Sequence, residues 1–206
     1  QTRRRHQGLT PVGKIGVFLI MKKNYYALKA SLPLLLFDGQ PPFSRETFLD
    51  YCSAYFSKRQ MAVLHSLKAA PHRLPEGIAA DSPTGEYILW EICLRNTLGA
   101  LRAGKLGVDA EPYLVKFAGF VSEAYRTANE IFTSQMNPYD RERALDAARW
   151  YKLDSVEGRH TFDFDAFCLY LLRLMILEKW AARSEKDAPA NLDKAADRAE
   201  HAEKDL

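Results

Sequence analysis

Residues 84–106 read TGEYILWEICLRNTLGALRAGKL, and their pattern decides how the rest of the chain is understood. Tyr87, Trp90, Leu94, Leu98 and Leu101 recur at steps of three and four, which places them along one face of an α-helix. Glu86, Arg102 and Lys105 fall elsewhere on the same helix. Glu91 precedes Arg95 by four residues, the favourable order for an ion pair on a helical surface. Gly107 then supplies a stop. A long helix with so broad an apolar face has to be covered by other elements.

Those elements also read as helices. Downstream, Asp109 is an N-cap with Pro112 in the first turn. The spacing predicts a helix from there through Tyr113, Leu114, Phe117, Phe120, Val121, Ala124 and Tyr125 to about Phe132. Asn137-Pro138 opens a helix over 138–153, with Leu145, Ala148 and Trp150 amid Asp and Arg, and Asp154–Gly158 breaks it. A last helix over 163–183 is apolar nearly all round between 166 and 177, the mark of a helix enclosed by others. Upstream, Ser44 caps a helix carrying Phe48, Leu49, Cys52, Tyr55 and Phe56. A short helix over 58–69 follows through Met61, Leu64 and Leu67, and Pro71, Pro75, Gly77 and Pro83 mark a loop. Residues 24–37 mix periods, so a short strand and a short helix both fit, and Pro33 ends whichever forms. The expected fold is mainly α, a single compact multi-helix domain over 21–182.

The 206 residues include 29 Lys+Arg and 26 Asp+Glu, a formal net charge of +3. Arg3, Arg4, Arg5 and Lys14 lie in the first twenty residues, which carry no acid. Without those four, 25 basic residues face 26 acidic ones from Met21 onward. A body so close to neutral lacks the positive field that nucleic-acid binding requires. Residues 1–20 read as an N-terminal extension, non-native or disordered, because Met21-Lys-Lys-Asn24 has the form of a natural start. Residues 183–206 read as a charged helical or frayed tail. No run reaches the length of apolar residues that a membrane-spanning helix needs, so direct membrane insertion is not expected. Cys52, Cys93 and Cys168 are odd in number and far apart, and each falls in an apolar helical pattern. They are expected to be reduced and buried, which fits a cytoplasmic protein.

No constellation for catalysis, cofactor or metal emerges. Gly99-Ala-Leu-Arg-Ala-Gly104-Lys105 matches the opening of a phosphate-binding loop, but Leu106 stands where Ser or Thr should hold magnesium. The glycines also fall inside the helical pattern, where they are expected to permit close packing or to weaken the helix end. His6, His65, His72, His160 and His201 share no helix at ligand spacing. Asp163 and Asp165 precede an apolar helix, where acids serve as caps and dipole partners. Glu91, Arg95, Asn96 and Arg102 form the most concentrated polar set, either a half-buried ion pair with its neighbours or a strip that meets another protein. Tyr25 is a further interface candidate, since tyrosine is apolar and still able to hydrogen-bond.

Several segments together resemble one family. Asn24-Tyr-Tyr-Ala-Leu-Lys-Ala-Ser-Leu-Pro-Leu-Leu35 resembles its opening, and Leu94-Arg-Asn-Thr-Leu-Gly-Ala-Leu-Arg-Ala-Gly-Lys-Leu-Gly107 its central helix. Arg149-Trp150, Leu153-Asp154, Gly158-x-x-x-Phe162-Asp163 and Leu174-x-x-Leu177-Glu178-x-Trp180 resemble its C-terminal half. The family is an uncharacterised one encoded among V/A-type ATP synthase genes in some bacteria, and the resemblance spans about residues 21–182. Glu91-x-x-x-Arg95-Asn96 is also similar to a helix of the all-α, funnel-like adaptor that joins the rotor shaft of these rotary ATPases to their membrane ring. The chain is much shorter than that adaptor usually is, so the role would be filled by a reduced body.

The resemblance implies a non-catalytic structural or coupling component of a V/A-type ATP synthase, cytoplasmic and peripheral to the membrane through its complex. The rotor shaft and the membrane ring would be its partners, and Tyr25, Glu91, Arg95, Asn96 and Arg102 its candidate contact residues. The alternatives are a free-standing helical interaction module or assembly factor and, third, an enzyme of unknown chemistry.

Overall fold

The computed structural model describes residues 25–183 apart from 118, 159 and 161. The N-terminal extension over 1–20 and the tail beyond 183 lie outside the described residues. Seven α-helices succeed one another among the described residues: α1 (25–31), α2 (Arg45–Ser53), α3 (Lys58–Ser66), α4 (Pro83–Leu106), α5 (Ser122–Thr133), α6 (Pro138–Glu157) and α7 (164–183). A 3-10 turn, Glu111–Tyr113, lies between α4 and α5. No described residue is in a strand, and the ambiguous segment is helical over 25–31 and irregular over 32–37.

The helix starts follow from local chemistry. The Ser44 hydroxyl accepts from the Thr47 N–H at the head of α2. Ser57 and Gln60 cap α3 reciprocally, each side chain bonding the other's backbone N–H. Ser82 caps α4 with Pro83 in its first turn, and Asn137 caps α6 with Pro138 in the same place. The Asp163 carboxylate accepts from the Ala166 N–H, and Asp165 accepts from the Thr84 N–H at the start of α4. The two acids thus cap one helix each, their own and a distant one.

Residues 166–177 of α7 are all buried, the charged Arg173 included. Tyr87, Trp90, Leu94 and Leu98 of α4 are buried with them, and α4 packs against both α5 and α6. Phe48 of α2 stacks on Tyr170 of α7 with ring centres 5.2 Å apart. Phe56, just after α2, meets Phe167 edge-on at 5.0 Å. The large central side chains are therefore shared among helices far apart in sequence. Such burial contributes roughly 25 cal/mol per Å² of apolar surface.

One expected element does not form. The helix foreseen from Asp109 to about Phe132 is reduced to the 3-10 turn, an extended stretch, and then α5. The Asp109 carboxylate bonds the Glu111 N–H two residues on, which closes a local turn in place of a helical start. The amide of Asn96 in α4 then holds Val115 on both sides, donating to its C=O and accepting from its N–H, each at 2.8 Å. That clamp uses the backbone groups a helix would need. Gly119 adopts φ 138°, which also breaks helical geometry. In the same region, α6 runs on to Glu157 before Gly158 ends it, past the expected break at Asp154.

Gly99 and Gly104 lie within α4, so the phosphate-loop match is a helix. Gly85 has a different constraint: a methyl group there would lie 2.0 Å from the Ala79 carbonyl oxygen, whereas one at Gly104 would meet nothing within 4 Å. Gly85→Ala is expected to cost about 1–3 kcal/mol through overpacking. Gly104→Ala is expected to raise stability by about 1 kcal/mol through helix propensity. Urea unfolding midpoints measure both, and equal effects would contradict the packing described.

Candidate functional site

Glu91 is wholly buried on α4, and its partner is not Arg95. The Arg149 guanidinium of α6 reaches it as a fork, with Nε donating to Oε2 and Nη2 to Oε1, both at 2.9 Å. The third nitrogen, Nη1, donates to Asp146 Oδ1 at 2.8 Å. Asp146 Oδ2 accepts from Lys179 Nζ at 2.7 Å and from the Trp180 indole N–H at 2.9 Å. Lys179 also pairs with Glu142, which pairs in turn with Arg183. One bonded chain therefore ties α4 to α6 and α6 to α7.

The expected Glu91–Arg95 pair gives way for a geometric reason. A carboxylate turned inward meets the fork of the facing helix, whose two parallel N–H bonds outdo one contact along its own helix. Arg95 instead donates from Nη1 to the Pro71 carbonyl at 3.3 Å.

Burial pushes the Glu91 carboxyl above its ordinary range, against the pull of Arg149. Burial works against the charge of Arg149, and Glu91 more than offsets this and raises its pKa. Burial and the nearby Glu91 raise the Tyr87 phenol. Glu142 is held down at about 2, chiefly by its hydrogen bond from Arg183 and with help from Lys179. Lys152 forms a second junction, bonding Glu86 of α4 at 2.8 Å and Glu123 of α5 at 3.0 Å. Burial opposes its charge, and the two carboxylates raise its pKa above the ordinary value.

A cleft of about 670 Å³ lies over the Glu91–Arg149 network, between α4, α6 and α7. Four of the five residues singled out in the sequence line it: Glu91, Arg95, Asn96 and Arg102. They are not equivalent. Glu91 is committed to Arg149, Asn96 clamps Val115, Arg95 is half-buried, and Arg102 is exposed. Tyr25 stands apart from the cleft. Its ring packs on Phe56 at 5.1 Å and on Phe167 at 5.9 Å, and its hydroxyl accepts from Gln60 at 2.7 Å.

Arg141, Glu142, Asp146, Arg149 and Lys179 complete the charged wall and were missed in the sequence. A signal was present: Glu142, Asp146 and Arg149 follow one another at four and three residues, a charged stripe along α6.

The three cysteines are free and buried, as expected. Burial pushes the Cys52 thiol up to about 12 and raises that of Cys168, so neither is a thiolate at neutral pH. No group of three or more His, Cys, Asp or Glu among the described residues is placed to hold a metal. No helix among them is long and apolar enough to cross a membrane. In comparisons with known proteins, the chain matches no family model, no curated protein and no solved structure.

Arg149→Met leaves the Glu91 charge buried without its fork and is expected to cost about 3–5 kcal/mol in urea unfolding. Adding Glu91→Leu to it should recover a large part of that loss, and strictly additive losses would show that the two residues do not act as a pair. For Glu142, the folded carboxyl titrates below the unfolded one. Its stabilisation is complete above the ordinary value of 4.5 and disappears as pH falls toward about 2. Acid unfolding of Glu142→Gln should therefore depend less steeply on pH across that window than the parent protein.

Proposed function

We propose that this chain is a non-catalytic structural or coupling component of a V/A-type ATP synthase, working as a compact central-stalk adaptor between rotor shaft and membrane ring. One observation supports the reading. The central and C-terminal segments that resemble the operon family lie far apart in sequence and meet at the cleft and the bonded network beneath it. Arg95 and Asn96 come from α4, Arg149 from α6 and Trp180 from α7, and the last two are joined through Asp146. A shared fold would keep Arg149 and Trp180 in order, because both are held by Asp146.

The mechanism in this reading is mechanical. Helices joined only by apolar contacts can slide, whereas ion pairs set at fixed points along them oppose sliding. Charged bonds across α4–α6, α6–α7 and α5–α6 would let the body carry torque as a unit. It would act in the cytoplasm and reach the membrane only through its complex.

Affinity purification of the tagged chain from its own organism tests this. Stoichiometric recovery of the shaft and ring proteins is the expected outcome. Recovery of no ATPase component would refute the proposal. Recovery with partial complexes, and absence from the assembled enzyme, would replace it with an assembly factor.

A further inference from the structure

The cleft over the Glu91–Arg149 pair is unevenly charged. Its wall carries five cations, Arg95, Arg102, Arg141, Arg149 and Lys179, against three carboxylates, Glu91, Glu142 and Asp146. The carboxylates are engaged by Arg149 and Lys179, and Glu142 by Arg183 as well. Arg95, Arg102 and Arg141 have no carboxylate at ion-pair distance among the described residues, and Glu91 acts on Arg95 only through space.

The placement of these three arginines suits a ligand. Arg95 and Arg102 are seven residues apart on α4, so they share a face two turns, or about 10 Å, apart. Gly99, on the same face, has no side chain of its own, and Leu114 lies against it, with Cδ2 3.6 Å from where a Cβ would stand. Arg141 spends Nη2 on the carbonyls of Ser134 and Met136, each at 3.2 Å. Its Nε is buried and has no acceptor among the described residues. That nitrogen is closed off by protein atoms, so a ligand in the cleft would meet Nη1 instead, which donates to no acceptor among the described residues. Between the charges the wall is apolar, with Leu98, Leu145, Met175 and Ile176. The volume, about 670 Å³, is that of a small-molecule site.

We propose that this cleft binds a small organic oxyanion, a phosphate ester or a polycarboxylate. Arg95, Arg102 and Arg141 take its charged oxygens, and the apolar wall takes its carbon frame. Guanidinium forks match both kinds of oxyanion, and the near-neutral charge of the chain beyond residue 20 favours a small ligand over a nucleic acid. The site does not depend on the ATPase reading, because its test uses the purified chain alone.

The experiment is calorimetric titration of the full chain with phenyl phosphate, with benzene-1,3,5-tricarboxylate, with benzyl alcohol as the uncharged control and with a pentaglutamate peptide, all at matched ionic strength. Saturable binding of at least one of the two small anions, and none of benzyl alcohol, is expected. Which anion binds decides between phosphate and carboxylate. Arg102→Gln should weaken that binding at least tenfold while the unfolding midpoint of the free protein stays unchanged, since Arg102 is exposed. Arg102→Lys should weaken it several-fold, because the charge stays and the fork is lost. Arg95→Gln serves as a second variant with the same expected loss. The proposal is overturned if neither small anion binds, if binding survives both glutamine variants, or if only the peptide binds, which would assign the cleft to an acidic protein segment.

Discussion

All three nitrogens of the Arg149 guanidinium are bonded, two to Glu91 on α4 and one to Asp146 on its own helix. Asp146 passes the constraint to Lys179 and Trp180 on α7. The helices that carry most of the buried apolar surface are thus fixed along their lengths by directional bonds. Apolar packing alone would leave them freer to slip, because dispersion and hydrophobic contacts have little directionality. A buried pair of this kind adds little net stability, since desolvation offsets much of the attraction. Its contribution is to make other alignments of α4 and α6 expensive, because any of them leaves a charge buried and unpaired.

The same network shapes the cleft above it. By taking up Glu91 and Asp146, and sharing Glu142 with Lys179, it removes most of the negative charge from the wall and leaves three arginines with no carboxylate of their own among the described residues. The network and the cleft are therefore physically linked. A change in the pairing of Glu91 would alter the electrostatics felt by Arg95, four residues further along α4.

Much of the fold was legible because it depends on local chemistry. The caps at Ser44 and Asn137, the proline after Asn137 and the left-handed Gly107 act within a few residues of the helix ends they define. The enclosed character of α7 followed from an apolar run that no single face could account for. The stretch 109–121 was misread because its apolar residues keep a helical spacing while Asn96, nearly twenty residues away, takes up the backbone N–H and C=O of Val115. Gly85 was equally silent, since only the approach of Ala79 shows why a side chain does not fit there.

The candidate site divides in the same way. The polar set on α4 stood out within its own helix, and four of its residues do line one cleft. Their separate roles could not be read, because each depends on what another segment brings: Arg149 for Glu91, Val115 for Asn96, Pro71 for Arg95. The sequence by itself determined the mainly helical class, most helix starts and the enclosed run of α7, since periodicity and capping are properties of neighbours in the chain, whereas Tyr55, Tyr113, Phe120 and Tyr125 keep a helical spacing and are exposed. The tertiary structure alone decided which charges pair and which guanidinium donors are left over. Ion pairing is chosen by distance and burial, and both are set only when remote helices meet.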